Sequence, residues 1–282
     1  MTRTTLYFSR HLFYSKFTDN FILYNLRVQH PPNLSTPYPE LIRLIGAIFL
    51  RKSLDFRAVS TRACAALHIQ PIILGKGNIP AAGPCLLTTN HYTRPGFQSW
   101  WMVMLISSAI PAPVHWVISE AWTMEGKWYG AAWTSITRWF FHRVAQVYGF
   151  KTMPPMPPRR FEVERRAQAV RNVLAYARNR SDLIIGMSPE GQDEQKCVLQ
   201  APPVGAGRFL YHFNRDGYPI LPVGVFEVGL APCVSFGSLY NLYPPDGISP
   251  ADLDGWVSNK VMCSIAGLLP PNLRGEYAPC EG

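Results

Sequence analysis

Two short apolar runs end abruptly on polar turns, and this punctuation narrows the choice of folds more than any other feature of the chain. Cys85–Thr89 stops at Asn90-His91, and residues 182–187 stop at Ser188-Pro189-Glu190-Gly191. Runs this short, bounded by turn residues, read as buried strands. Val114–Ser119 and residues 144–150, 219–226 and 233–236 continue the series. Helical spacing fills the gaps, at about 96–109, at 161–177 (Phe161, Val163, Ala167, Val170, Leu174, Ala177) and from Ser249-Pro250 to about Leu268. Strands alternating with helices predict an α/β sandwich around a largely parallel sheet flanked by helices. Open sheets of that kind bind ligands at the carboxyl ends of their strands, where His91 and Glu190 fall.

The Pro-rich stretch at 30–39 breaks any helix, so the folded domain is expected over 38–282, with 1–37 a flexible N-terminal extension. That extension is basic and hydroxyl-rich but lacks the apolar core of a secretory signal, leaving a transit peptide or a plain extension open. From Glu40 to Phe56, Leu41, Leu44, Ile45, Ile48 and Phe49 keep helical spacing beside Arg43, Arg51 and Lys52. This basic amphipathic helix either packs on the domain or touches a membrane surface. The whole chain has 282 residues, 48% apolar and 16% charged, with 27 Lys and Arg against 18 Asp and Glu and a net charge of +9. Such apolar content excludes a disordered chain, while the positive excess suits nucleic acid, anionic lipid or acidic ligands alike. The uncharged stretch beyond Pro95 is broken by Pro111 and Pro113, so no spanning helix is expected there. Six scattered cysteines without a Cys-x-x-Cys pair predict reduced thiols and neither a metal site nor a redox motif. The Trp100-Trp101 pair and Trp116, Trp122, Trp128 and Trp133 read as core and pocket walls.

Three motifs in order carry a resemblance. Asn90-His91-Tyr92-Thr93-Arg94-Pro95-Gly96 is followed about 100 residues later by Ser188-Pro189-Glu190-Gly191-Gln192-Asp193, and then by Ile220-Leu221-Pro222-Val223. Over residues 65–240 this order resembles the lysophospholipid acyltransferase superfamily, to which glycerol-phosphate and 1-acylglycerol-phosphate acyltransferases belong. Their pattern runs Asn-His-x4-Asp, Phe-Pro-Glu-Gly-Thr-Arg, then a Pro-Val strand. The resemblance implies a single-domain glycerolphosphate-acyltransferase-like sandwich that moves a fatty acyl group from a thioester, acyl-CoA or acyl carrier protein, to a lysophospholipid or other hydroxyl or amine acceptor. His91 and Glu190 are then the catalytic candidates, with Asn90, Arg94, Lys151, Pro189, Gly191 and Gln192 as substrate contacts. No metal or bound cofactor is implied. A cytoplasmic protein at the membrane periphery is, with lipid and thioester and not nucleic acid as its partners.

The departures from the pattern are specific. Gly96 stands where the family has the Asp that orients the histidine, and Gln192-Asp193 replaces Thr-Arg. No Arg matches the one expected near Phe150-Lys151; Arg94 and Lys151 are the available substitutes. Glu190, Asp193 and Glu120 are the carboxylates near strand ends that could orient His91 instead. Nine Lys or Arg between Arg143 and Arg180, against Glu162 and Glu164, form either a solvated face or a donor and headgroup surface. These losses motivate an alternative, a non-catalytic lipid- or acyl-binding protein on the same fold. A hydrolase reading fails because Glu190 occupies the last glycine of a Gly-x-Ser-x-Gly elbow.

Overall fold

The structure is a computed structural model and describes residues 33–34, 36–124, 126–156, 159–178, 180, 182–191 and 198–277. Expectations placed on residues 1–32, Gln192, Asp193, Cys197 and Cys280 lie outside these residues.

Among the described residues seven strands form one sheet: β1 (Ile72–Leu74), β2 (Cys85–Thr89), β3 (Val114–Ser119), β4 (Lys151–Met153), β5 (Ile184–Met187), β6 (Ile220–Val228) and β7 (Ala231–Phe236). Their order is β1-β7-β6-β2-β5-β3-β4. The β6–β7 pair is antiparallel and all the others are parallel. β2 and β5, both fully buried, lie side by side at the centre, as their continuous apolar sequences require.

The helices are α1 (Tyr38–Leu50), α2 (Phe56–Ala65), α3 (Ser99–Ala109), α4 (Gly130–Tyr148), α5 (Val163–Arg178), α6 (Ala206–Arg215) and α7 (Pro250–Ala266). α1 packs with α4 and α2 with α3, whereas α5 contacts α6 and α6 contacts α7. With right-handed crossovers, α3 and α4 fall on one face of the sheet and α5 and α6 on the other. The chain thus leaves β2 toward one face and β5 toward the opposite face. Between two adjacent parallel strands that divergence opens a crevice at their carboxyl ends.

Local chemistry accounts for the helix boundaries. Ser249 accepts a hydrogen bond from the Asp252 N–H and Pro250 follows it, so α7 begins where expected. Asp254 of α7 accepts from the N–H groups of Gly205 (2.7 Å) and Arg208 (2.8 Å), capping α6 from another element. The helix expected over 40–56 ends at Leu50: Arg51 turns left-handed at φ 52°, and Asp55 starts α2 by accepting from the Ala58 N–H. The strand expected at 144–150 is corrected to the end of α4. There Phe140, Val144, Val147 and Tyr148 form a helical stripe against α1, and the chain turns into β4 only after Gly149, at φ +72°. The tryptophans divide: Trp101 and Trp116 are buried, but Trp100, Trp122 and Trp128 are exposed.

Cys64, Cys85 and Cys233 are buried free thiols, and burial pushes Cys85 and Cys233 up to about 12. They behave as core side chains. Gly186 on β5 lies opposite Trp116 of β3, whose indole donates to Ser107 Oγ of α3. A Cβ at 186 would sit 2.7 Å from the Trp116 ring. Gly186→Val should therefore lower the unfolding free energy by roughly 1–3 kcal/mol through overpacking, which denaturant titration will read as a smaller midpoint with an unchanged slope.

Candidate functional site

The loop after β2 and the turn after β5 are joined by one buried carboxylate. Glu190, 3% exposed, accepts through Oε1 from the His91 main-chain N–H (2.6 Å) and through Oε2 from the Gln200 N–H (2.8 Å). This brings the two motifs, separated by about a hundred residues of chain, together at the carboxyl ends of β2 and β5. Glu190 thus holds His91 by its backbone. Burial pushes the Glu190 carboxyl up to about 7, against the opposing pull of the two N–H donors.

The rest of the His91 loop is held just as firmly. Asn90 is buried, donates from Nδ2 to the Val225 carbonyl (2.8 Å) and accepts at Oδ1 from the Val225 N–H (2.7 Å). Its amide thereby copies a peptide group and extends the β2–β6 ladder by one step. Glu227, two residues further along β6, accepts from the Tyr92 hydroxyl (2.9 Å) and from Nε (2.5 Å) and Nη2 (2.6 Å) of Arg94. Such a bidentate pair balances the Arg94 charge and fixes the loop. Neither Tyr92 nor Glu227 carries any motif signal; a carboxylate at an odd position near the end of an apolar strand was the only clue.

Gly96 has φ +83°, and a Cβ there would fall 1.8 Å from Asn33 Oδ1 and 2.9 Å from Asn33 Cα. Its carbonyl accepts from the Leu34 N–H at 2.7 Å. The family aspartate therefore has neither a suitable backbone nor space at this position, because residues 33–34 lie over it.

On the β5 side, Pro189 is buried and Gly191 takes φ +67°, with its N–H donating to the Ser188 carbonyl at 3.2 Å. That bond closes the turn, so the Gly191 N–H, which could otherwise meet an oxyanion, is engaged. Ser188 Oγ is buried and has no hydrogen-bond partner among the described residues. The remaining expected contact lies elsewhere. Lys151 is in β4, three strands from β2 and so roughly 14 Å away across the sheet. Its ammonium sits 3.7 Å from the Tyr176 ring centre in a hollow of about 460 Å³ that Asn172 and Thr152 also line. Burial, and then the neighbouring Arg180, hold its pKa below the usual lysine value.

An arginine cluster stands at the same edge of the sheet as His91 and Glu190, at the carboxyl ends of β3 and β4. Glu120, which follows β3, pairs with Arg165 and lies 3.5 Å from Arg138, and its N–H donates to the last carbonyl of β4. These arginines hold it two strands from β2. Glu162 is fully buried, 3.9 Å from both Arg159 and Arg165, and its carboxylate oxygens have no hydrogen-bond partner among the described residues. Arg166 donates to the Pro155 carbonyl, and burial holds its pKa below the ordinary arginine value. Met156, next to that proline, lies against Gly191. Four arginines against two glutamates leave net positive charge beside the crevice. Among the described residues no three His, Cys, Asp or Glu side chains converge as metal ligands, and no helix is long and apolar enough to cross a membrane.

No family model matches the chain, and no curated protein does. Among solved structures, it is similar to the 1-acyl-sn-glycerophosphate (LPA) acyltransferase PlsC from Thermotoga maritima, at a TM-score of 0.47 and 16% sequence identity, over 76% of this chain and 78% of that one.

Two outcomes are expected. Gly96→Asp should destabilise the protein, because it forces a side chain into a left-handed position filled by Asn33; urea unfolding will show a loss of at least about 1 kcal/mol. Glu190 gives a pH signature. Its folded pKa of about 7 lies above its ordinary value of 4.5, so the folded chain holds the extra proton in that window. Its contribution is fully present below about pH 4.5 and declines as the pH rises to about 7, by roughly 3 kcal/mol in total. In Glu190→Gln this decline should disappear, at a cost of roughly 1–3 kcal/mol for the N–H left unmatched; a stability–pH series on both proteins checks it.

Proposed function

We propose that the chain is an acyltransferase working at the periphery of a cytoplasmic membrane face, moving a fatty acyl group from a thioester, acyl-CoA or acyl carrier protein, to a lysophospholipid or related hydroxyl or amine acceptor. The observation that carries the reading is the Glu190 bridge, which assembles the Asn-His and Pro-Glu-Gly motifs in one crevice between diverging crossovers. In this reading the His91 imidazole removes the acceptor proton while the acceptor oxygen or nitrogen attacks the thioester carbonyl carbon. As the tetrahedral adduct collapses, the C–S bond breaks, the thiolate takes the proton from the imidazolium, and ester or amide and free thiol leave.

Glu190 is a positioning residue, since it holds the main chain of His91 and carries no proton to the substrate. Asn90 positions the same loop through Val225. The Gly191 N–H, engaged in its turn, does not supply the donor for the developing oxyanion. Arg165, half exposed in a cluster where four arginines face two glutamates, takes up the phosphate of donor or acceptor in place of the expected Arg94, which is largely buried against Glu227.

The test is thiol release from palmitoyl-CoA or a palmitoyl acyl carrier protein by the full chain, with lysophosphatidate, glycerol 3-phosphate and neutral lysolipids as acceptors and mass spectrometry of the product. His91→Ala should lower turnover by about 10²–10⁴-fold with unchanged unfolding. Arg165→Ala should raise KM for phosphate-bearing substrates about ten-fold and leave kcat nearly unchanged. Equal turnover with and without His91 would overturn the mechanism. Saturable binding of the thioester without turnover of any acceptor would favour the acyl-binding alternative, which the missing aspartate at Gly96 recommends.

A further inference from the structure

Lys151, expected among the substrate contacts, lines a hollow of its own. β4 is the last strand on its side of the sheet, and α5 packs against it. Between the two elements, Lys151 and Thr152 of β4 and Ala169, Asn172, Val173 and Tyr176 of α5 surround a space of about 460 Å³. Three strands separate this space from β2 and the His91 loop. Tyr176 follows Arg165 by three turns of α5, roughly 16 Å along the axis. The hollow is therefore distinct from the crevice and from the arginine cluster beside it.

Two cations meet one ring here. The Lys151 ammonium is 3.7 Å from the Tyr176 ring centre, and the Arg180 guanidinium carbon is 4.9 Å from it. The ring face offsets part of their repulsion. Among the described residues, however, no carboxylate pairs with either cation. Burial, and then Arg180, oppose the charge on Lys151. The platform beneath these charges is fixed. The Tyr176 hydroxyl accepts from Arg180 Nη1 at 3.1 Å and lies 3.2 Å from Nδ1 of His115, which is itself 3.1 Å from the Gly149 carbonyl. Asn172 accepts at Oδ1 from Gln168 Nε2 at 2.8 Å, which leaves its own N–H groups unengaged among the described residues.

What this set of groups lacks is an oxyanion. An ammonium, an amide and a hydroxyl line one concavity, with a guanidinium alongside and no acid to balance the charge. Such donors match the several acceptor oxygens and double charge of a phosphate better than the single charge of a carboxylate. The space, many times the roughly 30 Å³ share of one water, also holds the small organic group that a phosphate ester carries, with Ala169 and Val173 as its apolar wall. We infer that the Lys151 hollow is a binding site for the phosphate group of a monoester, separate from the crevice that holds His91. The inference stands whether or not the chain transfers acyl groups.

The experiment is calorimetric titration of the full chain with inorganic phosphate and with glycerol 3-phosphate, and co-sedimentation with phosphatidylcholine vesicles that contain phosphatidate, all at one ionic strength set with chloride. The wild type should bind inorganic phosphate saturably, and its melting temperature should rise with phosphate concentration. Lys151→Gln should weaken binding about ten-fold, and Arg180→Gln by a smaller factor. Lys151→Arg, which keeps the charge, should bind within a few-fold of wild type; equal loss in both Lys151 variants would mark a structural role and overturn the site. Lysine-dependent binding that is tighter for glycerol 3-phosphate supports the inference with a soluble ester as occupant, and tighter binding to the phosphatidate vesicles supports it with a lipid headgroup. No saturable binding of any of the three would overturn it. Phosphate binding that is lost in Arg165→Ala and kept in Lys151→Gln would belong to the arginine cluster and overturn it as well.

Discussion

A carboxylate buried at the carboxyl edge of the sheet organises everything around the candidate site. Glu190 satisfies two main-chain N–H groups from separate segments, at His91 and at Gln200, that would otherwise be unpaired in the crevice. Desolvation disfavours its charge, and the two N–H donors favour it. The balance is costly, because burying a carboxylate without a counter-ion is opposed by roughly several kcal/mol even after relaxation. The return is a fixed geometry. With Asn90 copying a peptide group against Val225, and Glu227 gripping Tyr92 and Arg94, the loop carrying His91 is held at several points before any ligand arrives.

That view changes the meaning of the departures from the family pattern. Gly96 is more than a missing acid: its backbone is left-handed, its carbonyl receives Leu34, and its side-chain space belongs to Asn33. The loop is anchored at this position by the segment leading into α1. Arg94, in the His motif, is likewise a brace and not a vacant cation, while positive charge accumulates around Glu120 and Glu162 at the ends of β3 and β4.

Much of this was legible in the residues. The central strands announced themselves because strands buried on both faces need unbroken apolar runs, and α7 did so through Ser249-Pro250. The strand reading of 144–150 failed because Val144, Val147 and Tyr148 satisfy a helical stripe as well as an apolar run, and their partner, α1, is remote in sequence. α6 was invisible for a related reason: its N-terminus is capped by Asp254, nearly fifty residues away in the chain. His91 and Glu190 could be picked out by their position after strands, but their contact through a main-chain N–H leaves no trace in the letters. Glu227 and the Arg159–Arg165 cluster depend on the sheet order, which pairing in space determines.

The central claim is that the Glu190 bridge builds a site for a thioester beside His91. A crystal structure with a hydrolysis-resistant thioether analogue of acyl-CoA addresses it most directly. The account predicts the acyl carbonyl carbon at the mouth of the β2–β5 crevice, within roughly 3–4 Å of the His91 imidazole's side of an acceptor-sized gap, and the phosphates toward Arg165. An analogue bound elsewhere, with the His91 loop and the Ser188–Gly191 turn unoccupied, would contradict it.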